Sequence, residues 1–438
     1  MGDPSTARPR AYDADDVEVL GPSAKGVPVD AWGSSGRRLV EQGRTLGAMP
    51  TPLLTLDRGA VAGNVAAMAT WTREAGVELA PHGKTTMAPS LWRQQLDAGA
   101  WGITVATPWQ LLVALEHGVP RVLMAFNLVH PDVLEHLART PRTAEVAVWV
   151  DGTEAVALMS RHLAGAVQPL DVVVELGAPG GRTGARTTAR ALEVARAVRE
   201  APGLRLAGVG GYEGALAHDA GPGSLDVVRG YLEDLAGLHA AVLAEGLADD
   251  PPPGGLLLTA GGSAYFDLVA QVLAPLHDPD GARGTPVHVL VRAGAYVAHD
   301  DGFYRGITPM ARGESGRLVS AIHGWARVLS RPEPGLALLD AGKRDLPFDE
   351  GLPEVQALRA QGTGPTTELR GAQVSALNDQ HAFVRLEPQA QHVAVGDVLR
   401  LGLSHPCTAF DKWQLVPVVD DAHAEQPVVV DLVRTCFG

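Results

Sequence analysis

Four lysines occur in the 438 residues, at positions 25, 84, 343 and 412, in a chain whose basic side chains are otherwise arginine. One of them sits in Pro81-His82-Gly83-Lys84-Thr85, directly after an apolar stretch with the pattern of a strand. An amine at the end of a buried strand is partly desolvated, which lowers its pKa and favours the neutral nucleophile that condenses with a carbonyl. The same position also suits a surface lysine that merely caps a strand. Ala260-Gly261-Gly262-Ser263 ends another apolar run. It offers backbone N–H groups and a hydroxyl at the start of a helix, the materials of a phosphate site, although Gly-Gly-Ser is equally an ordinary turn. Arg182, within Gly180-Gly181-Arg182-Thr183-Gly184, and Tyr212, within Tyr212-Glu213-Gly214, follow two further runs. Either side chain is able to orient an aromatic ring or its phenolate, and either is also an unremarkable loop residue. In Ser404-His405-Pro406-Cys407 the imidazole and thiol are two residues apart, a spacing that on a strand puts both on one face. Such a pair is two ligands of one ion, or a buried His beside a buried Cys.

Eight short β-branched or apolar runs must position these groups, at 77–85, 102–107, 121–127, 144–151, 171–177, 204–212, 255–262 and 287–296. Between them lie Ala- and Leu-rich stretches with helical spacing, such as 107–118, 187–200 and 224–246, ended by Gly or Pro. Strand and helix alternating eight times predict an α/β chain built on a (β/α)₈ barrel. Chemistry then belongs at the carboxyl ends of the strands, where Lys84, Arg182, Tyr212 and the Gly261 turn fall. The run at 51–57 is surplus to eight and is read as a strand crossing from a second domain. After about residue 300 the pattern changes to short strands without long helices, at 318–330, 335–342, 382–388, 398–404, 414–421 and 426–433. This predicts a mainly antiparallel β domain, with its long loop at 346–371, where Gly, Pro and Thr accumulate. The expected division is 1–57 as an N-terminal segment partly joining the β domain, 58–298 as the barrel and 299–438 as the β domain. The head of the first 48 residues, rich in Pro, Gly and charge, is expected to be disordered.

Acidic residues outnumber basic ones by 50 to 36, for a formal charge of −14, which disfavours a phosphate backbone as partner and argues against nucleic acid. Two cysteines, Cys407 and Cys436, are too few for a disulfide framework in a chain of this length. No apolar run reaches the roughly 18 residues that span a bilayer, and the first twenty residues lack a signal-like apolar core. The expectation is a cytoplasmic protein without a membrane partner.

Taken together these residues resemble the D-serine dehydratase and D-threonine aldolase family, from about Thr51 to Asp420. The resemblance rests on TPLLTLD, PHGKT, GITVAT, Asn127, the Arg182 loop, the Tyr212 motif, TAGGS, Arg292-Ala293-Gly294-Ala295-Tyr296, Asp340-Ala341-Gly342-Lys343 and SHPC, in order. It implies the alanine racemase fold and pyridoxal 5'-phosphate held as a Schiff base on Lys84. His82 would lie at the cofactor, Gly261, Gly262 and Ser263 at its phosphate, and Arg182 and Tyr212 near its ring. The resemblance further implies a divalent metal on His405 and Cys407, with zinc expected first and magnesium or manganese as alternatives. A homodimer acting on a small D-amino acid is implied as well. Lys343 matches a family position in the β domain that is not the cofactor lysine. The reaction expected is dehydration of a D-β-hydroxy amino acid such as D-serine, D-threonine or a 3-hydroxyaspartate, giving a 2-oxo acid and ammonia. Aldolase-type members tend to pair His with Asp at the metal, where this chain has Cys407. Dehydration is therefore favoured over a retro-aldol enzyme, the nearest alternative, which is followed by a racemase and a non-catalytic cofactor carrier. Around Lys84 many members carry Arg before Pro-His and His-Lys after the lysine, where this chain has Ala80, Thr86 and Met87.

Overall fold

The structure, a computed structural model, describes residues 12–312 and 317–437. The expected disordered head lies largely outside them. Strand β1 (Leu53–Asp57) precedes eight parallel strands: β2 (Glu78–Leu79), β3 (Ile103–Val105), β4 (Arg121–Asn127), β5 (Glu145–Val150), β6 (Leu170–Leu176), β7 (Leu204–Gly211), β8 (Leu256–Ala260) and β9 (Val287–Val291). Their order is β2-β9-β8-β7-β6-β5-β4-β3. The two edges meet through a His82–Thr104 bridge, with Trp101 N–H donating to Leu79 O at 2.7 Å and Thr104 N–H to Pro81 O at 2.9 Å. These contacts close the expected barrel. Both faces of such strands are covered, which is why they read as nearly unbroken apolar runs.

The helices between them start where local chemistry allows. Thr107 and Thr187 cap helices Pro108–Glu116 and Thr188–Glu200 by accepting from the N–H groups of Gln110 and Arg190. Asp57 does the same for helix Arg58–Glu74 through Ala60 N–H at 2.8 Å, while its other oxygen accepts from Ala422 N–H at 2.8 Å and ties the first barrel helix to the β domain. At Gly208 β7 presses so close to β8 that a Cβ would lie 1.9 Å from Leu257 O, and the backbone φ of +138° is one that only glycine adopts freely. Inside the barrel, Ala80, Ala147 and Ala207 leave room for the buried Trp149, whose ring supports the Arg292 guanidinium at 4.7 Å.

The remaining strands are β10 (Ile322–Glu333), β11 (Leu336–Leu339), β12 (Glu354–Arg359), β13 (Thr366–Glu368), β14 (Ala372–Leu377), β15 (Ala382–Leu386), β16 (Val398–Gly402), β17 (Leu415–Val419) and β18 (Val429–Arg434). The surplus strand β1 pairs antiparallel with β10 and parallel with β17, so it does belong to this sheet. The expected long loop at 346–371 is corrected: β12 and β13 lie within it and pair with each other, and β12 also pairs with β16. Strand β14, also absent from the sequence reading, pairs with β15. Only Val374 and Leu377 of β14 are buried, so its apolar signal is thin.

Residues 12–48 run along the β domain. Helix Gly36–Glu41 packs on β18, Thr45 bridges Val428, and the Asp13 carboxylate accepts from Ser90 Oγ at 2.7 Å and Arg434 N–H at 2.8 Å. Among the described residues no helix is long and apolar enough to cross a membrane. Barrel and β domain join where Asp301 N–H donates to Leu403 O and Phe303 N–H to Ser404 O, at 2.9 and 3.2 Å. This seam carries β16 and the segment after it to the carboxyl end of the barrel.

Candidate active site

Lys84 stands in a single 3₁₀ turn, Gly83–Thr85, after the short β2, rather than on an extended strand as 77–85 suggested. A Cβ on Gly83 would meet Ile103 and the Trp92 indole at 2.7 Å, so the turn is packed from behind and its lysine faces the mouth. Among the described residues the Lys84 amine has no hydrogen bond or ion pair. The other lysines are engaged: Lys25 with Asp345 and the Trp413 ring, Lys412 with Asp411, and Lys343 over the Phe348 ring. Burial holds the Lys84 pKa below its ordinary value; Cys407 opposes the shift, and Arg182 and Arg292 reinforce it. His82 is held neutral for the same reasons, burial first and then Lys84 and Arg292. Its Nδ1 is sealed from water and lacks a partner among the described residues. Gly294 crosses directly over it, with room for no side chain, since a Cβ would lie 2.5 Å from His82 O.

Around the mouth the strand ends supply a polar ring. From β4, β5 and β6 come Asn127, Asp151 and Glu175, linked by Asn127 Nδ2 donating to Asp151 at 2.9 Å, Gly184 N–H to Asp151 at 3.0 Å and Thr183 Oγ1 to Glu175 at 2.7 Å. Burial raises Glu175 to about 7, against the pull of Thr183 and of Arg292 and Arg182. Arg182 lies over the Tyr212 ring at 5.3 Å. Tyr212, still 36 % exposed, has its phenol pushed up to about 12 by enclosure and by Glu213. The fully buried Arg292 donates to Thr259 Oγ1 at 2.7 Å and Gly211 O at 2.6 Å, which fixes a permanent positive charge beneath these groups.

The Gly261 turn differs from its expected form. Both N–H groups assigned to an anion, those of Gly261 and Gly262, already donate to the carboxylate of Glu213 at 2.8 Å each. Glu213 is fully buried, and its charge is answered by these amides and by Arg292. Ser263 Oγ accepts from Gly294 and Ala295 N–H at 3.4 and 3.3 Å, which leaves its proton to give.

The His405–Cys407 pair also needs correcting in its local structure. It does not lie on a strand, because β16 stops at Gly402 and Cys407 begins the short helix Cys407–Phe410. The two side chains nevertheless act on each other electrostatically, and Cys407 Sγ lies 3.2 Å from Thr85 Oγ1, next to Lys84. Burial disfavours both charged forms, yet His405 is raised to about 9 by the Cys407 sulfur and Asp349, and the Cys407 thiol is pulled below its ordinary value by His405, Thr85 and Lys84. Asp349 bonds His405 Nδ1 at 2.7 Å. Together with Glu350 these residues form a group able to hold a cation through ligand atoms within 4.8 Å of one another, a group that omits Cys407. The half-buried Tyr304 lies beside this pair, its ring tilted and 6.0 Å from that of His405.

A D-threonine aldolase of an Arthrobacter species is 30 % identical over 388 residues, 88 % of this chain and 93 % of the relative. The chain belongs to the D-threonine aldolase and D-serine dehydratase-like family of pyridoxal-phosphate enzymes. Its residues 56–245 match the "Alanine racemase, N-terminal domain" family and its residues 321–419 the "Putative serine dehydratase domain" family. A D-threo-3-hydroxyaspartate dehydratase of a Delftia species is 25 % identical over 377 residues, 83 % of this chain and 92 % of the relative. The crystal structure of D-threonine aldolase from Filomicrobium marinum superposes with a TM-score of 0.73 at 25 % identity, covering 89 % of this chain and 97 % of that one. This family contains both aldolases and dehydratases of D-hydroxy amino acids, so membership establishes a lyase family and leaves open which bond is cut.

Three polar residues at the site went unassigned in the sequence. Glu213 was visible beside Tyr212, and its position one residue beyond a strand end was a usable signal. Arg292 was visible in the eighth barrel run, but its reach across to Gly211 depends on barrel closure. Asp349 gave no local signal, since it meets His405 from 56 positions away.

Proposed function

We propose that the protein is a pyridoxal-phosphate- and divalent-metal-dependent dehydratase that converts a D-β-hydroxy amino acid to a 2-oxo acid and ammonia. The observation that supports this reading is the Cys407 sulfur, 3.2 Å from Thr85 Oγ1 at the side of Lys84 and in electrostatic reach of His405, which sets the proposed metal ligands beside the proposed cofactor amine. Among the described residues, those that fit the cofactor are an amine without a hydrogen bond or ion pair, a neutral His82 whose Nδ1 lacks a partner, and a mouth kept clear by Gly294. Lys84 would hold the cofactor covalently, with His82, Arg182 and Tyr212 around its ring. Ser263 would meet its phosphate with the proton it has free, and Gly261 and Gly262 would join only by exchanging Glu213 for phosphate. When bound, pyridoxal phosphate supplies a sink for the electron pair released at the substrate α-carbon.

The donor set also suits an ion. His405 and Cys407 would hold it, and a divalent cation there supplies Lewis-acid stabilisation of an oxygen that becomes negative. Lys84 takes the α-proton at Nζ, a role for which its depressed basicity fits. Arg292, pinned on Trp149, keeps positive charge below the reacting centre throughout. The loss of the β-hydroxyl is favoured over cleavage of the α,β bond because the partner of His405 in the short motif is Cys407 and not Asp. A retro-aldol reading is supported by the Arthrobacter relative and by Asp349, which gives His405 a carboxylate neighbour from elsewhere in the chain.

A screen of D- and L-β-hydroxy amino acids should show turnover of D-enantiomers with ammonia and 2-oxo acid rising together. Turnover restricted to L-substrates, or aldehyde and glycine as the main products, would count against this assignment.

A further inference from the structure

We infer that Asp349 is a positioning residue for the metal: it fixes the ring and tautomer of His405 so that Nε2 is the nitrogen presented to the ion. The inference rests on the His405–Cys407 metal site proposed above and deepens it. Asp349 Oδ2 meets His405 Nδ1 at 2.7 Å, and its other oxygen accepts from Thr408 Oγ1 at 2.6 Å. Thr408 follows Cys407 directly, so one carboxylate braces both halves of the ligand pair. A carboxylate on Nδ1 keeps the proton there, makes the imidazole a stronger donor at Nε2 and stops the ring from rotating. Among the described residues His405 has few other contacts apart from its electrostatic interaction with Cys407. Its remaining Nδ1 contact is Thr408 Oγ1 at 3.4 Å, and Tyr304 offers only a tilted ring at 6.0 Å.

The carboxylate comes from the segment between β11 and β12, whereas the ligands come from the turn after β16, two segments held together by the β12–β16 pairing. Ser404 Oγ donates to Gly351 O at 2.6 Å and fastens the same two segments one step away. Asp349 is itself one of three groups able to surround a cation, so a direct ligand role is the competing reading.

Zinc affinity of the chelator-stripped enzyme, measured by competition with a chromophoric chelator, separates these roles when paired with cobalt(II) spectra. Asp349→Asn and Asp349→Ala should weaken zinc by roughly 10- to 100-fold, the cost usual for losing a carboxylate behind a ligating His. Asp349→Glu should recover part of the loss. At saturating cobalt the Asp349 variants should keep the thiolate-to-metal charge-transfer band and the wild-type ligand-field pattern. Unchanged zinc affinity in both Asp349→Asn and Asp349→Ala would overturn the inference and leave the metal site itself standing. A ligand-field change showing a lost oxygen donor would overturn it by making Asp349 a ligand. A wild-type enzyme without any cobalt–thiolate band, or with the same band in Cys407→Ser, would remove the His–Cys site and this inference together.

Discussion

Lys84→Ala should leave no cofactor covalently attached after borohydride reduction and should lower turnover by about 10⁴-fold or more, the upper range for removing a group that transfers the key proton. Two functions fall on one nitrogen, the anchoring of the cofactor and the movement of the α-proton, so no neighbour replaces it. The remaining lysines are held elsewhere by Asp345, Asp411 or the Phe348 ring. Peptide mapping of the reduced enzyme should find the modified residue between Pro81 and Thr85. Label on Lys25, Lys343 or Lys412 would show that both the assignment and the placement of PHGKT at the mouth are wrong. Lys84→Arg should behave like the alanine variant, because a guanidinium stays protonated and forms no covalent link.

Removing the metal should abolish ammonia release while the cofactor stays on Lys84. The ion acts on the departing oxygen, whereas the cofactor is held by other groups. Lewis-acid stabilisation of several kcal/mol corresponds to a loss of roughly 10³-fold in turnover. His405→Ala and Cys407→Ala should match the stripped enzyme, and zinc should restore the stripped wild type but neither variant. Cys407→Asp is the sharper case, since a carboxylate keeps a divalent ion but is a harder donor. That variant should retain metal, lose ammonia release and turn some substrate over to aldehyde. Full dehydratase activity in metal-free enzyme, or in both alanine variants, would return His405 and Cys407 to ordinary packing residues.

Much of the fold was legible because parallel strands covered on both faces write their burial into unbroken apolar runs. Runs 121–127 and 171–177 return as β4 and β6 within one residue. Around Lys84 the reading failed in detail. The segment 77–85 combines a two-residue strand with a 3₁₀ turn, because the chain must bend there to face the mouth. The loop expected at 346–371 failed for a different reason. Strands β12 and β13 have exposed or half-exposed residues at Glu354, Val355, Gln356 and throughout Thr366–Glu368, so apolar alternation is too weak to mark them. Their pairing is set by partners elsewhere in the chain.

The site shows the same division. Residues fixed by a strand end, such as Tyr212 and the Gly261 turn, were placed by the run that precedes them. Glu213 occupies the amides of Gly261 and Gly262, which the sequence offered to a phosphate, because a buried carboxylate needs donors. His405 and Cys407 act on each other despite lying off a strand: Cys407, at the start of the Cys407–Phe410 helix, reaches Thr85, while His405 reaches Asp349. Asp349 was beyond reach, as its contact exists only after β12 pairs with β16.

The fate of the α,β bond tests the central claim most directly. D-threonine labelled with ¹³C at both the α- and β-carbons, incubated with metal-loaded enzyme and followed by NMR, should give 2-oxobutyrate in which the two labels remain directly coupled, with one ammonia released per molecule. Labelled glycine and acetaldehyde, each carrying a single uncoupled ¹³C, would contradict the account and make the protein an aldolase.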